Sequence, residues 1–123
     1  MKGEQTVSFI AMKDGTQADY ALLEELEKPY LAQTAGRVMA ELDRQGQVSL
    51  EGYKLTRLDH ALQSATRASR DGADIDWVIG ALLHDIGDGL APQNHDRFSA
   101  EVIRPFVREE VTWVVEHLSL IHI

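Results

Sequence analysis

Apolar residues recur along the chain with a helical period, not in the strict alternation of a half-buried strand. Tyr20, Leu23 and Leu26 fall near helical spacing between acidic residues, and Lys13-Asp14-Gly15-Thr16 before them reads as a turn and an N-cap. A first helix is therefore predicted over about 17–27. Pro29 cannot sit comfortably in a helix interior but suits a first turn, so a second helix is predicted from Pro29 to about Arg44, ended by Gly46. Thr56 caps a third, Arg57 to about Arg70, whose Leu58, Ala61, Leu62, Ala65 and Ala68 form an apolar stripe. Its alanines leave room for another helix to approach closely. Asp74 or Asp76 caps a fourth helix, apolar nearly all round from Trp77 to Leu83 and hence central. A fifth starts near His95 or Asp96, carries Phe98, Val102, Ile103 and Phe106, and meets Pro105. A sixth runs from Arg108 to His117 with Val111, Val114 and Val115 on one face. Apart from the short apolar piece Val7–Met12, read as an extended arm, no strand pattern stands out. The predicted class is all-α, with an arm at 1–15 and one helical domain at 16–117.

Composition narrows the possible functions. The chain has 123 residues, which suits a single core. Its net charge of −8 argues against non-specific binding to nucleic acid or a membrane surface, both of which need a basic face. There is no cysteine, so disulfides and thiolate metal sites are excluded. The first residues lack an apolar leader, and no apolar run is long enough to span a bilayer. A cytoplasmic protein with a small-molecule substrate is expected.

Candidate chemistry lies where the fourth helix ends, in Ala81-Leu82-Leu83-His84-Asp85-Ile86-Gly87-Asp88. An imidazole and a carboxylate here close a helix that should be buried, and a buried charge is costly unless paired or bound to metal. Taken alone, the doublet reads first as a hydrogen-bonded helix end rather than a metal site. Three further histidines, His60, His95 and His117, stand on or beside other predicted helices. Imidazole with carboxylate suits zinc, iron, manganese and similar ions. Four imidazoles and a carboxylate exceed what one tetrahedral site needs, which points to two divalent metals, iron, manganese or similar, sharing Asp85.

The order His60, His84-Asp85, His95, His117 resembles the HD-domain metal proteins. The likeness is strongest to a group described as predicted HD phosphohydrolases, through Arg57-Leu58-Asp59-His60, Asp71-Gly72-Ala73-Asp74, the stretch 81–88, Asn94-His95 and Ile103-Arg104-Pro105-Phe106. The resemblance implies an HD-type helical bundle. It implies that His60, His84 and Asp85 hold one metal and that Asp85 bridges to a second held by His95 and His117. It also implies a further aspartate on a later helix, which this chain does not contain. Asp88 stands where many such proteins carry Lys or His against substrate; here it is assigned a catalytic or supporting role beside Asp85.

Three functions follow from the resemblance. The first is a metal-dependent phosphohydrolase acting on a small phosphate ester or nucleotide through activated water. The second is a mixed-valent di-iron oxygenase that cleaves a C–C or C–P bond of a small polar or polyol-like substrate. In the phosphonate-cleaving oxygenases a Tyr and a Glu precede the first metal histidine, whereas Tyr53 here stands roughly in the place of the Glu. The third is a metal-stabilised binding module or inactive fragment. The last six residues, Leu118-Ser119-Leu120-Ile121-His122-Ile123, match the translation of a transposon-adaptor end sequence, CTG TCT CTT ATA CAC ATC. Native sequence is thus expected to end near His117, with the bundle truncated and His122 not a ligand.

Overall fold

Three of the helices begin where a capping side chain, Thr16, Thr56 or Asp74, bonds the first turn. The computed structural model describes residues 5–47 and 52–118. It contains α1 (Gln17–Ala32), α2 (Thr34–Gln45), α3 (Arg57–Arg70), α4 (Ile75–Leu83), α5 (His95–Ile103) and α6 (Glu109–Glu116). No β-strand occurs among the described residues, and the class is all-α as expected. Nor is any described helix long and apolar enough to cross a membrane. Of the expected adaptor-derived tail, residues 119–123 lie outside the described residues, as do residues 48–51 of the connector.

Thr16 and Thr56 both cap through reciprocal bonds. The Thr56 hydroxyl accepts from Asp59 N at 3.1 Å, and the Asp59 carboxylate accepts from Thr56 N at 3.0 Å. Asp74 rather than Asp76 caps α4, accepting from Trp77 N at 3.2 Å. Asp76 is engaged elsewhere, accepting from Arg108 N at 2.9 Å and so joining the start of α4 to the start of α6. The expected break at Pro29 does not occur. Instead α1 runs on to Ala32, with Pro29 inside it. Its last carbonyls are taken by side chains from beyond the break: the Thr34 hydroxyl donates to Leu31 O at 2.7 Å and Arg37 donates to Tyr30 O at 2.9 Å. The break therefore falls at Gln33, where those carbonyls find partners.

The chain divides into two compact units, Met1–Val38 and Met39–Ile123. In the first, Ser8 of the N-terminal arm donates to the buried Asp19 carboxylate from its N–H at 3.0 Å and its hydroxyl at 2.8 Å. These bonds, that from the Ser8 backbone foremost, together with those from Thr16, hold the Asp19 carboxyl down to about 2.

In the second unit α3 packs on α4, α4 also meets α5 and α6, and α5 packs on α6. Its buried apolar core comprises Leu42, Ala61, Leu83, Ile86, Ala100, Ile103, Val111 and Val115. Gly80 lets α4 and α6 touch, since a Cβ there would lie 2.6 Å from Val111 Cγ1. The turn after α4 is fixed from three sides. Ile86 is in the core, its carbonyl accepts from the buried Gln45 amide at 3.0 Å, and Gly87 N donates to Ser99 Oγ at 3.0 Å. Gly87 is required by close approach, because a Cβ would meet the Phe98 ring at 2.6 Å. Gly80→Ala should destabilise the second unit by about 1–3 kcal/mol through overpacking against Val111. Urea unfolding of the variant at unchanged midpoint would contradict this packing.

Candidate metal centre

His84 ends α4 and Asp85 follows it in the fixed turn, so the doublet is held by buried neighbours and not by a mobile loop. His60 arrives from the first turns of α3, and His95 and Asp96 open α5. Asp85 is the common point. Its Oδ2 lies 3.1 Å from His84 Nε2 and 3.3 Å from His60 Nε2, and the two imidazole nitrogens are 3.2 Å apart. Its Oδ1 lies 3.3 Å from His95 Nε2, which is 3.0 Å from Asp96 Oδ1. Two groups of metal-ligating side chains result, His60-His84-Asp85 and Asp85-His95-Asp96, with Asp85 in both.

The donor atoms suit a metal in chemistry and in spacing. His84 Nδ1 is 2.6 Å from the Ala81 carbonyl and His95 Nδ1 is 3.0 Å from the Pro92 carbonyl. A carbonyl can only accept, so in the neutral rings Nδ1 carries the proton and Nε2 presents a lone pair. Such backbone bonds are the usual way a ligating imidazole is oriented. The Nε2 lone pairs of His84 and His95 face Asp85 oxygens at 3.1 and 3.3 Å, and that of His95 faces Asp96 Oδ1 at 3.0 Å, contacts that repel unless a proton or a metal cation lies between. Metal–nitrogen and metal–oxygen bonds of roughly 2.0–2.2 Å place neighbouring ligand atoms about 3.0–3.4 Å apart, the spacing found here.

The electrostatics point the same way. Burial pushes the His84 pKa down, but the hydrogen bond and charge of Asp85 outweigh it and raise the pKa above its ordinary value. Burial likewise pushes the Asp85 carboxyl up, and His84, then the charges of His95 and His60, bring it below the usual range. The pairing thus keeps Asp85 ionised and favours positive charge beside it, the polarity that a cation site needs.

The sequence expectation and the structure part at His117. Its ring stacks on Trp113 at 4.3 Å, its Nδ1 is 2.7 Å from the Trp113 carbonyl, and it belongs to neither cluster among the described residues. Asp96 stands beside His95 instead. In sequence Asp96 looks like a helix start, yet His95-Asp96 is a second adjacent His–Asp pair, and that repetition of His84-Asp85 is the signal that points to it. Asp88 also joins neither cluster. Its Oδ2 accepts from Arg57 Nε at 2.5 Å and its Oδ1 lies 4.0 Å from His95 Nδ1.

Two cavities adjoin these residues. One of about 400 Å3 is apolar and touches the cluster only at His84, between Trp77, Val111 and Val115. The other, about 270 Å3, is bounded by Tyr53, Leu55, Arg57, His60, Asp85 and Asp88.

A helical scaffold whose central helix ends in His-Asp, with histidines from flanking helices converging on it, places the chain in a known class. Residues 57–123, more than half of the chain, match the HD domain family, and the chain belongs to it. Over 86 residues, 61% of this chain, it is 33% identical to a [1-hydroxy-2-(trimethylamino)ethyl]phosphonate dioxygenase (glycine-betaine-forming) of Leisingera caerulea. Over 70 residues, 47% of the chain, it is 33% identical to a hydroxymethylphosphonate dioxygenase of Gimesia maris. These matches cover 44% and 35% of the two relatives, so the chain spans less than half the length of the curated proteins it resembles.

Asp85→Ala removes a donor from both groups and should abolish Mn2+ binding at each group that takes the ion, whereas Asp96→Ala should weaken binding only at the group of Asp85, His95 and Asp96. Calorimetric titration reads both, and unchanged stoichiometry in Asp85→Ala would refute a shared ligand.

Proposed function

We propose that the protein is a two-metal enzyme acting on a small phosphorus-containing anion. The observation that carries this is the division of the Asp85 carboxylate, one oxygen to each donor group. His60, His84 and Asp85 would hold one divalent metal, and Asp85, His95 and Asp96 the second. Bound there, the metals would supply Lewis acidity together with either a water of lowered pKa or a redox couple for O2.

The chain's own residues do the rest. The Ala81 and Pro92 carbonyls keep Nε2 of His84 and His95 aimed at Asp85. Arg57 pairs with Asp88, so the acid at that position does not stand against an anionic substrate as an unbalanced charge. The cavity beside His60 and Asp85 is at the small end of ligand sites, which favours a compact metabolite over a nucleotide.

Two chemistries fit this frame. Hydrolysis of a small phosphate ester uses two cations to polarise the phosphoryl group and position water. Oxidative cleavage of a C–P bond is supported by the names of both relatives and by the His60-His84-Asp85 trio, since two imidazoles and one carboxylate suit non-haem iron. The choice is made by supplying hydroxymethylphosphonate to the Fe2+-loaded protein in air and p-nitrophenyl phosphate to the Mn2+-loaded protein under nitrogen. Oxygen uptake coupled to phosphate release identifies the oxidative reaction, and anaerobic nitrophenol release identifies the hydrolytic one. Neither activity from protein with both sites filled would contradict the proposal.

A further inference from the structure

Arg57 lies next to the donor clusters without belonging to them. It is the first residue of α3, three positions before His60, so both side chains leave the same side of the helix. Its side chain is 17% exposed, and it lines the same cavity as His60 and Asp85. A guanidinium has five N–H donors. Asp88 takes the one on Nε, and among the described residues neither Nη group has an acceptor. The guanidinium plane is therefore fixed from behind while its amino edge keeps its donors. In a chain of net charge −8, with Asp85 and Asp88 on the same wall, this is the positive group the cavity offers to an entering anion. Tyr53 and Leu55 bound another part of the cavity and leave room for a short carbon substituent.

We propose that Arg57 is the anion anchor of the site, its Nη edge binding the tetrahedral oxyanion head of a substrate with only a short carbon chain. Asp88 is the positioning residue that holds the guanidinium in place. The planar fork matches phosphate and phosphonate oxygens in a way a lysine ammonium does not. This assignment rests on the two-metal reading for its reaction, but not for its anion binding.

The test is calorimetric titration of the 123-residue chain with methylphosphonate, with and without Mn2+. Mn2+ affinity is measured first. Arg57→Ala and Arg57→Lys should both keep Mn2+ affinity and bind methylphosphonate about 10- to 100-fold more weakly, the size of a lost charge-assisted contact. Arg57→Lys keeps a cation for Asp88, so it carries the test if Arg57→Ala fails to fold. Methylphosphonate binding within twofold of wild type in a folded variant overturns the proposal, as does a Mn2+-loaded wild type that does not bind the probe. Wild type that takes no Mn2+ overturns the two-metal reading instead, and the metal-free titration then judges Arg57 by the same criteria.

Discussion

One carboxylate, at the end of the central helix, faces three imidazoles and a second carboxylate. Asp85 is half-buried, and a charge in that position is expensive to keep without compensation. Compensation here calls for a cation: both oxygens face imidazole nitrogens at 3.1–3.3 Å, and backbone carbonyls turn the Nε2 atoms of His84 and His95 toward the carboxylate, so a proton or a metal ion between them is what stabilises it. Helix ends supply all of these groups. Side chains at the end of α4 and the starts of α3 and α5 converge because the helices they terminate are packed on one core.

The position of that carboxylate is set by the turn that carries it. Ile86 sits in the core, Gln45 and Ser99 bond the carbonyl and the N–H of the Ile86–Gly87 peptide, and Phe98 occupies the space a Cβ at Gly87 would need. Gly80 brings α6 against α4 one turn before the doublet. Packing and chemistry are thus linked by a few residues, since a shift of the turn would move Asp85 relative to donors on three other elements. Asp88 is part of the same turn, and its bond to Arg57 ties the turn to the first residue of α3.

Much of this was legible in the residues. Thr56 and Asp74 are caps because a short polar side chain precedes an apolar stripe, and α3 has the predicted bounds. The break between α1 and α2 was misplaced because Pro29 argues locally for a helix start. The actual stop is decided by Thr34 and Arg37, whose bonds to α1 carbonyls appear only in three dimensions. The clustering of His60, His84, Asp85 and His95 follows the order of the motifs. The different placements of His117 and Asp96 have a physical reason. A histidine in the last turn of an amphipathic helix looks like a ligand from sequence, but its ring can stack on an aromatic residue one turn earlier, as it does on Trp113. An aspartate in a first turn looks like a helix-dipole partner, and only the fold shows that it faces a neighbouring imidazole.

Everything in the proposed chemistry turns on whether Asp85 serves two cation sites at once. Anomalous diffraction from crystals grown with Mn2+, collected on both sides of the metal edge, tests it directly. Two anomalous peaks are expected, both within bonding distance of Asp85, one also bound by His60 and His84 and the other by His95 and Asp96. A single peak, or a second one that excludes Asp85, would contradict it.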